Sequence, residues 1–300
     1  MSLWIFVTIA AAGFQTVRFM LQKMLTTVRL SAAGATFARF AYSAPLMAVL
    51  LTGALVSMGR PLPPIGGAFW FWAVFGGLAQ ILATVCVVAL FKQRNFAVGV
   101  TFSKTDVIMT VFIGLAVLGD TVSAHGMAAI LIGLVGVLLL SQAAEAGAGW
   151  WRGLSSQATL LGVGAGLFFA LSAVAYRAAG LQVAAEEPVL RAAVSLAFVT
   201  AFQGLGMAGW LFWRDRGQLA AVWSARRTGL LVGLTSLAGS FCWFWAFSLQ
   251  GAAYVRAVGQ VELIFSLAAS TLVFREPISR RELAGIAILS ASIVLLVTLG

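Results

Sequence analysis

The sequence predicts an all-α polytopic membrane protein, in which ten transmembrane helices form two inverted five-helix repeats. Three observations support this prediction: the composition, a series of ten apolar segments, and an internal repeat. Of the 300 residues, 61% are hydrophobic and only 9% are charged. Soluble domains carry about 25% charged residues, so this composition excludes an ordinary water-soluble domain.

The apolar segments have the length that a membrane helix requires. A helix of about 20 residues crosses the roughly 30 Å hydrocarbon core of a bilayer. The predicted spans are residues 3–22, 32–57, 68–91, 96–118, 122–141, 158–180, 188–213, 228–250, 252–274 and 281–299. The first span has neither a basic leading region nor a clear cleavage site, so we expect it to be retained and not removed as a signal peptide.

Basic residues are unevenly distributed among the loops. One group follows the odd-numbered spans: Lys23, Arg29, Lys92, Arg94, Arg152, Arg214, Arg216, Arg226, Arg227, Arg275, Arg280 and Arg281. The opposite side offers Arg60, with Arg191 near a helix start. Cytoplasmic loops of membrane proteins are enriched in Lys and Arg. We therefore expect a bacterial-type inner (plasma) membrane location, with both termini on the non-cytoplasmic side.

The internal repeat is visible at the end of each half. The segment VLGDTVSAHGMAAILIGLVGVLLLS (117–141) aligns with VFREPISRRELAGIAILSASIVLLV (273–297) at an offset of 156 residues, which places Asp120 over Glu276. Residues 1–145 and 155–300 are the two predicted repeats. Each contains five spans, an odd number, so the second repeat enters the membrane inverted relative to the first. Inverted repeats are typical of secondary transporters.

Two five-helix repeats, each ending in an acidic turn (LGDTVS and FREPIS) and a last helix rich in small residues, resemble the EamA-type exporters of the drug/metabolite transporter superfamily. Within it, the sequence is most similar to aromatic and neutral amino-acid exporters of the YddG type. The resemblance implies a central cavity lined by the first four helices of each repeat, with helices 5 and 10 outside. Such turns commonly contain Gly-Glu, whereas this chain has Gly119-Asp120 and Arg275-Glu276, and we expect no function at either turn.

Polar residues four positions apart share a helix face, and four spans carry such pairs. These pairs are Gln80 and Thr84, Asp106 and Thr110, Ser236 and Ser240, and Glu262 and Ser266. Because hydrocarbon offers no hydrogen bonds, these groups should face one another or a wet cavity. Two alternatives remain open: the hydroxyls bond their own backbone, and the acids form ion pairs that hold helices together. Any such partner must come from another helix, because Lys104 lies only two residues from Asp106 and Arg256 is too far from Glu262.

Charge and aromatic content indicate the substrate. The spans contain six bases and two acids, a balance that suits a zwitterion or an anion better than a lipophilic cation. An aromatic wall near Trp243 and Tyr254 could hold an apolar side chain, while Lys104, Gln260 and the acids bind amino and carboxylate groups. The predicted translocation site comprises Gln80, Thr84, Lys104, Asp106, Ser236, Ser240, Trp243, Tyr254, Gln260 and Glu262.

These observations predict a secondary transporter that exports small metabolites, chiefly neutral or aromatic amino acids, by alternating access around a midplane cavity. Proton coupling through Glu262 or Asp106 and passive transport both remain open. The alternatives are a multidrug exporter of lipophilic cations and an intramembrane enzyme, but His125 is the only histidine. We expect no catalytic residues, metal, cofactor or nucleic-acid partner. The expected partners are the substrate and the lipid bilayer.

Overall fold

The computed structural model describes residues 2–28, 30–92, 100, 103–143, 157–275 and 280–299. These residues form α-helices that follow the predicted spans closely, and no β-strand occurs among them. The helices are α1 (Leu3–Val28), α2 (Ala32–Met58), α3 (Ala68–Leu90), α4 (Asp106–Leu118), α5 (Ala124–Ala143), α6 (Gln157–Leu181), α7 (Pro188–Arg214), α8 (Arg216–Ser224), α9 (Arg226–Leu249), α10 (Ala252–Val258), α11 (Glu262–Leu272) and α12 (Arg280–Leu299).

Within the described ranges, seven stretches are long and apolar enough to cross a membrane: α1, α2, α3, α6, α7, α9 and the combined α10–α11. Helices α5 and α12 contain shorter apolar stretches. The prediction of a helical polytopic membrane protein is confirmed at this level, while the count of ten spans and the inverted repeat stay predictions. Arg29, Arg94, Arg152 and Glu276 lie outside the described residues.

Two predicted spans are not continuous α-helices, which corrects the expectation for residues 96–118 and 252–274. A 3₁₀ turn at Ser103–Thr105 precedes α4, and a second 3₁₀ turn at Gly259–Val261 separates α10 from α11. The two turns lie 156 residues apart, the same spacing as the sequence repeat. Short 3₁₀ stretches inside helices often mark functional hinges. Hydropathy did not predict them because each turn is only three residues long within an otherwise apolar stretch.

The short helix α8 was predicted as part of a loop, because it is too short to cross a bilayer. It lies between α7 and α9, and its Gln218 side chain accepts hydrogen bonds from the backbone N–H and the hydroxyl of Ser31, both at 2.9 Å. Helix α8 therefore ties the start of α2 to the second half of the chain.

The core forms between the two halves of the chain. Helix α1 packs on α9, α3 on α6, and α2 on α7 and α9, while α5 and α12 pack chiefly on each other. Small residues permit these close approaches. A Cβ on Gly233 of α9 would lie 2.4 Å from the Cβ of Tyr42, and one on Gly136 would lie 2.8 Å from the carbonyl oxygen of Gly285.

The loops 59–67, 119–123, 182–187 and 250–251 lie at one end of the bundle, here called the latch end. Gly66 N donates to Gln182 O at 2.9 Å, and Ala184 N donates to Pro64 O at 3.0 Å. Arg60 and Glu187 form an exposed ion pair there at 2.5 Å. The hydrogen bond from Arg60 lowers the pKa of Glu187, so the pair stabilises the fold fully above the ordinary carboxylate pKa, and this stabilisation is lost as the pH falls through the lowered value.

The opposite end, here called the basic end, holds most of the described bases. Lys23 Nζ lies 4.2 Å from the ring centre of Phe274, and Lys92 Nζ donates to Leu30 O at 3.4 Å. These contacts bring the ends of α1, α3 and α11 together. The described members of the basic group are Lys23, Lys92, Arg214, Arg216, Arg226, Arg227, Arg275, Arg280 and Arg281.

Candidate functional site

A buried ion pair joins the two interrupted spans. Lys104, in the turn before α4, places Nζ 2.5 Å from Oε2 of Glu262, the first residue of α11. Gln15 Nε2 of α1 donates to the same carboxylate oxygen at 2.7 Å, and Trp243 Nε1 of α9 donates to Gln15 Oε1 at 3.0 Å. The turn before α4 and helix α1 thus contact the Glu262 carboxylate directly, and α9 is connected to it through Gln15.

In a second ion pair, the first half of the chain supplies the acid and the second half supplies the base. Arg256 of α10 pairs through Nη2 with Oδ2 of Asp106, the first residue of α4. Its guanidinium carbon also lies 5.1 Å from the ring centre of Trp243 and 5.4 Å from that of Phe169. Each interrupted span supplies the base for the acid of the other. The expectation that partners come from another helix is confirmed, and these four residues, Lys104, Asp106, Arg256 and Glu262, are named the acid–base cluster.

Both carboxylates begin an α-helix directly after a 3₁₀ turn. Asp106 is the first residue of α4, and Glu262 is the first residue of α11. The turn before α4 lies against α6, because a Cβ on Gly166 would lie 2.2 Å from Thr105 Oγ1 and 3.1 Å from Ser103 O. The glycine lets the turn approach the helix closely.

The predicted hydroxyl residues converge on Arg39 of α2. Its guanidinium donates to Ser236 Oγ at 2.6 Å, to Ser240 Oγ at 2.8 Å and to Thr84 Oγ1 at 3.3 Å. Arg39 was counted among the bases inside the spans but was not among the predicted site residues. Its position in the sequence could have indicated a role, because a charged side chain inside an apolar span is energetically costly and is often functional. Arg39 and its three hydroxyl partners are named the Arg39 cluster.

The remaining predicted residues lie in other places. Gln80 Oε1 accepts hydrogen bonds from Tyr176 Oη and Gln203 Nε2, both at 3.0 Å. Tyr254 Oη accepts from Ser123 N at 3.0 Å, at the latch end. Gln260 points towards α5, since its Oε1 lies 3.0 Å from where a Cβ on Gly133 would stand. The structure brings none of the three into contact with the acid–base cluster.

The alternative that hydroxyls bond their own backbone applies to two of the predicted residues. Thr110 Oγ1 donates to Asp106 O at 2.7 Å, and Thr84 Oγ1 donates to Gln80 O at 2.8 Å. Ser266 Oγ is buried and has no hydrogen-bond partner among the described residues. The two hydroxyls are therefore satisfied by their own helices, and Thr84 additionally accepts from Arg39.

The acidic turn after α4 has a structural role that the sequence analysis missed. Arg177 of α6 donates to Asp120 Oδ2 at 2.7 Å and, through Nη1, to the carbonyl oxygens of Phe247 at 2.9 Å and Gln250 at 2.8 Å. This contact, named the Arg177 latch, joins the ends of α4, α6 and α9. A cavity of about 260 Å³ adjoins it, lined in part by Tyr254.

All four side chains of the acid–base cluster are buried, as is Arg39. Among the described residues, no group of three or more His, Cys, Asp or Glu side chains could hold a metal ion. The buried interior of the bundle therefore contains side chains of both charge signs.

Comparisons with known proteins agree with this architecture. The model of the EamA-like transporter family matches residues 156–298. No curated protein matches the sequence. A solved structure described as "Crystal structure of protein" is similar with a TM-score of 0.62 and 14% identity, over 97% of this chain and 99% of that chain. At this identity the likeness shows the fold alone. Residues 156–298 are thus the part of the chain that matches the EamA-like transporter family.

Proposed function

We propose that this chain is a secondary membrane transporter of the EamA-like type that moves small amino acids or related metabolites by alternating access. One observation carries the proposal: two buried ion pairs of opposite direction, Lys104–Glu262 and Arg256–Asp106, connect the two interrupted spans. Transporters place substrate sites near the midplane, where discontinuous helices meet.

Stability alone does not account for the acid–base cluster. A buried ion pair loses its hydration, and replacement by apolar residues of similar volume is often neutral or stabilising. A zwitterionic substrate supplies an ammonium group and a carboxylate together, so it can replace both partners of one ion pair. Exchange of the internal partner for the substrate would release one interrupted span from the other. In this proposal the ion pairs hold the site closed when no substrate is bound.

The amino-acid class follows from the chemistry around the ion pairs. Arg256 lies against the rings of Phe169 and Trp243, and Trp243 stacks on Phe247 with ring centres 5.9 Å apart. An apolar or aromatic side chain would find a matching surface there. The preference for neutral or aromatic amino acids, and the direction of export, are supported by the family resemblance.

The repeat architecture belongs to the same proposal. The family match, residues 156–298, nearly coincides with the predicted second repeat, residues 155–300. The 3₁₀ turns of the two halves have the same spacing as the sequence repeat, and both are followed at once by an acid. These features support two five-helix repeats whose interrupted spans cross at the substrate site.

The test is counterflow of radiolabelled L-phenylalanine in proteoliposomes. We expect exchange by the natural protein, loss in Glu262→Gln, and no change in Glu187→Gln, which removes an exposed carboxylate from the ion pair with Arg60. Exchange of the lipophilic cation tetraphenylphosphonium, with no exchange of any amino acid, would instead favour a multidrug exporter.

Proton coupling is tested separately, because Glu262 and Asp106 are the buried acids among the described residues. We propose that their protonation accompanies transport. Uptake by the single variant Asp106→Asn, which keeps Glu262, should then lose its response to an imposed pH gradient. A response equal to that of the natural protein would assign coupling elsewhere or show that transport is passive.

A further inference from the structure

The interior of the bundle contains more positive than negative side chains. Four described bases are buried there, namely Arg18 (2% exposed), Arg39 (3%), Lys104 (4%) and Arg256 (7%), against two acids, Asp106 (1%) and Glu262 (0%). Both acids are already paired, with Arg256 and Lys104 respectively. Within the described residues, Arg18 and Arg39 form no ion pair.

The hydrogen bonds of Arg39 give each guanidinium nitrogen one partner but leave its charge uncompensated. Its three partners, Ser236, Ser240 and Thr84, are neutral hydroxyls. The Thr84 hydroxyl donates to Gln80 O, whereas those of Ser236 and Ser240 donate to no acceptor in the part of the chain that the structure describes. A guanidinium flanked by two hydroxyls that can turn their protons towards a ligand is a suitable receptor for a carboxylate.

Arg18 lies on α1, three residues after Gln15, which donates to Glu262, and α1 packs against α9, the helix of Ser236 and Ser240. Its guanidinium carbon stands 4.3 Å from the ring centre of Phe19, and Nη1 is buried without a hydrogen-bond partner among the described residues. The Glu262 carboxylate also lacks a hydrogen bond, because its Oε1 is buried and has no partner within the same described residues.

Two like charges in a dry interior repel each other and lose hydration. An unpartnered guanidinium nitrogen adds the cost of a buried donor without an acceptor. A bound anion removes both costs, and a bound ammonium group satisfies the free oxygen of Glu262. The same substrate can supply both groups.

We propose that Arg39, Ser236, Ser240 and Arg18 form a carboxylate subsite, and that Glu262 Oε1 receives the ammonium group of the same substrate. The subsite takes organic carboxylates, and amino acids occupy both parts at once. The assignment of its ligand as the transported substrate rests on the proposed function.

Three probes of similar shape separate the two parts. L-Phenylalanine carries both groups, 3-phenylpropionate only the carboxylate, and phenethylamine only the ammonium group. Binding to the purified full-length protein in detergent is measured by the shift of the thermal unfolding midpoint as a function of probe concentration. The natural protein should bind 3-phenylpropionate, and Arg39→Gln should bind it roughly 10- to 100-fold more weakly, the range for loss of a charged hydrogen bond.

Phenethylamine should behave in the opposite way. Its binding should weaken in Glu262→Gln and not in Arg39→Gln. The matched control is Arg191→Gln, because Arg191 also lies inside a predicted span but donates to Ala185 O at 2.6 Å near the latch end. This control should bind all three probes as the natural protein does.

A purely structural Arg39 would give a different pattern. Arg39→Lys keeps the charge but loses the planar fork of donors, so it should bind 3-phenylpropionate more weakly than the natural protein and more tightly than Arg39→Gln. If Arg39→Gln does not yield folded protein, Arg18→Gln and Ser240→Ala test the same subsite, and each should weaken the carboxylate probe selectively. Unchanged binding of 3-phenylpropionate in these variants overturns the inference.

Failure of this inference is distinguishable from failure of the proposed function. If L-phenylalanine exchanges in proteoliposomes while Arg39→Gln and Arg18→Gln bind every probe normally, amino-acid transport is supported and the carboxylate subsite is refuted. If no amino acid exchanges while 3-phenylpropionate binds in an Arg39-dependent manner, the subsite stands and amino-acid transport falls.

Discussion

Lys104 and Glu262 depend on each other, because one charge left alone in the dry interior of the bundle is far more costly than the pair. Both side chains are buried, and Lys104 Nζ lies 2.5 Å from the Glu262 carboxylate. Removal of either partner leaves the other without compensation, and removal of both leaves an apolar gap that neighbours can fill.

We predict that Lys104→Met lowers the free energy of unfolding by about 3–5 kcal/mol, the range for breaking a buried pair. The double variant Lys104→Met, Glu262→Gln should regain most of that loss. Denaturant unfolding in detergent, followed by tryptophan fluorescence, measures both. Equal stabilities of the single and double variants would show that the two charges are uncoupled.

At the residue scale, helical spacing located the acids and hydroxyls but not their partners. Asp106 and Glu262 stand out in the sequence because they interrupt apolar spans. Spacing along one helix determines which residues share a face, but it carries no information on which helix packs opposite. For this reason Arg39, which donates to Ser236, Ser240 and Thr84 on two other helices, was not among the predicted site residues.

At the scale of elements, the contact between α2 and α9 depends on a glycine. A Cβ on Gly233 would lie 2.4 Å from the Cβ of Tyr42 and 3.3 Å from the backbone nitrogen of Ser43. Neither atom is the end of a flexible side chain, so the helices must separate to admit a methyl group. This contact lies within one turn of Ser236, a member of the Arg39 cluster.

We predict that Gly233→Ala destabilises the protein by about 1–3 kcal/mol, the usual cost of overpacking. The matched control is Gly209→Ala on α7, where a Cβ would meet no atom within 4 Å. That change should be neutral or stabilising by up to about 1 kcal/mol, since alanine favours helix over glycine. Thermal unfolding in detergent compares the two, and equal losses would contradict the packing argument.

The Arg177 latch joins α4, α6 and α9 through one guanidinium, which bonds Asp120 and two carbonyl oxygens. The partly buried ion pair should hold the latch end closed more strongly than the exposed pair of Arg60 and Glu187, because solvent screens exposed pairs. The latch is formed by residues near helix ends, so its release does not require any helix to unfold.

We predict that Asp120→Asn opens the latch end. A cysteine placed at Ala253, which lines the cavity beside the latch, reports the change in a background that lacks Cys86 and Cys242. Maleimide labelling of this cysteine should be several-fold faster with Asp120→Asn, an effect on the order of 1 kcal/mol. Glu187→Gln is the control and should leave the rate unchanged. Equal rates in all three proteins would mean that the latch does not control access.

The interrupted spans are the elements that hydropathy could not predict. The two turns, Ser103–Thr105 and Gly259–Val261, are each three residues long, too short to interrupt the apolar average of a span. Only Gly259 is a weak helix former, and the structure shows a separate reason for it, since a Cβ there would lie 2.5 Å from the ring of Trp243. The 3₁₀ geometry of the turns therefore depends on tertiary packing, and the periodicity of the sequence carries no information about that packing.

At the scale of the whole molecule, both chain ends lie at the latch end. Trp4 and Val297 pack in the same cluster as Val122 and Tyr254. The described members of the basic group lie at the other end. From the positive-inside rule, we expect the latch end on the non-cytoplasmic side.

We predict that a reporter fused to the C-terminus is non-cytoplasmic. Alkaline phosphatase, which is active only after export, should be active there, and green fluorescent protein, which is fluorescent only in the cytoplasm, should be dark. The opposite pattern would show that the protein has the reverse orientation in the membrane. A control fusion after Arg227, at the basic end, should give the reverse result.

The sequence predicted the helical membrane class, and its spans 158–180, 188–213 and 228–250 agree with α6, α7 and α9 to within two residues. Composition and segment length are sufficient for this, because the bilayer imposes both. The contacts between the halves required the structure, since they depend on shape at small residues such as Gly233 and Gly136.

The packing of each first-half helix on a second-half helix has a consequence for biosynthesis. Arg39 and Lys104 are made before Ser236, Ser240 and Glu262, their partners in the finished protein. During translation the early spans therefore enter the bilayer with cations that have no final counterpart. These charges acquire their native neighbours only when the last spans are inserted. Assembly of the bundle is therefore completed late, and a chain that stops after its first half lacks the helices on which that half packs.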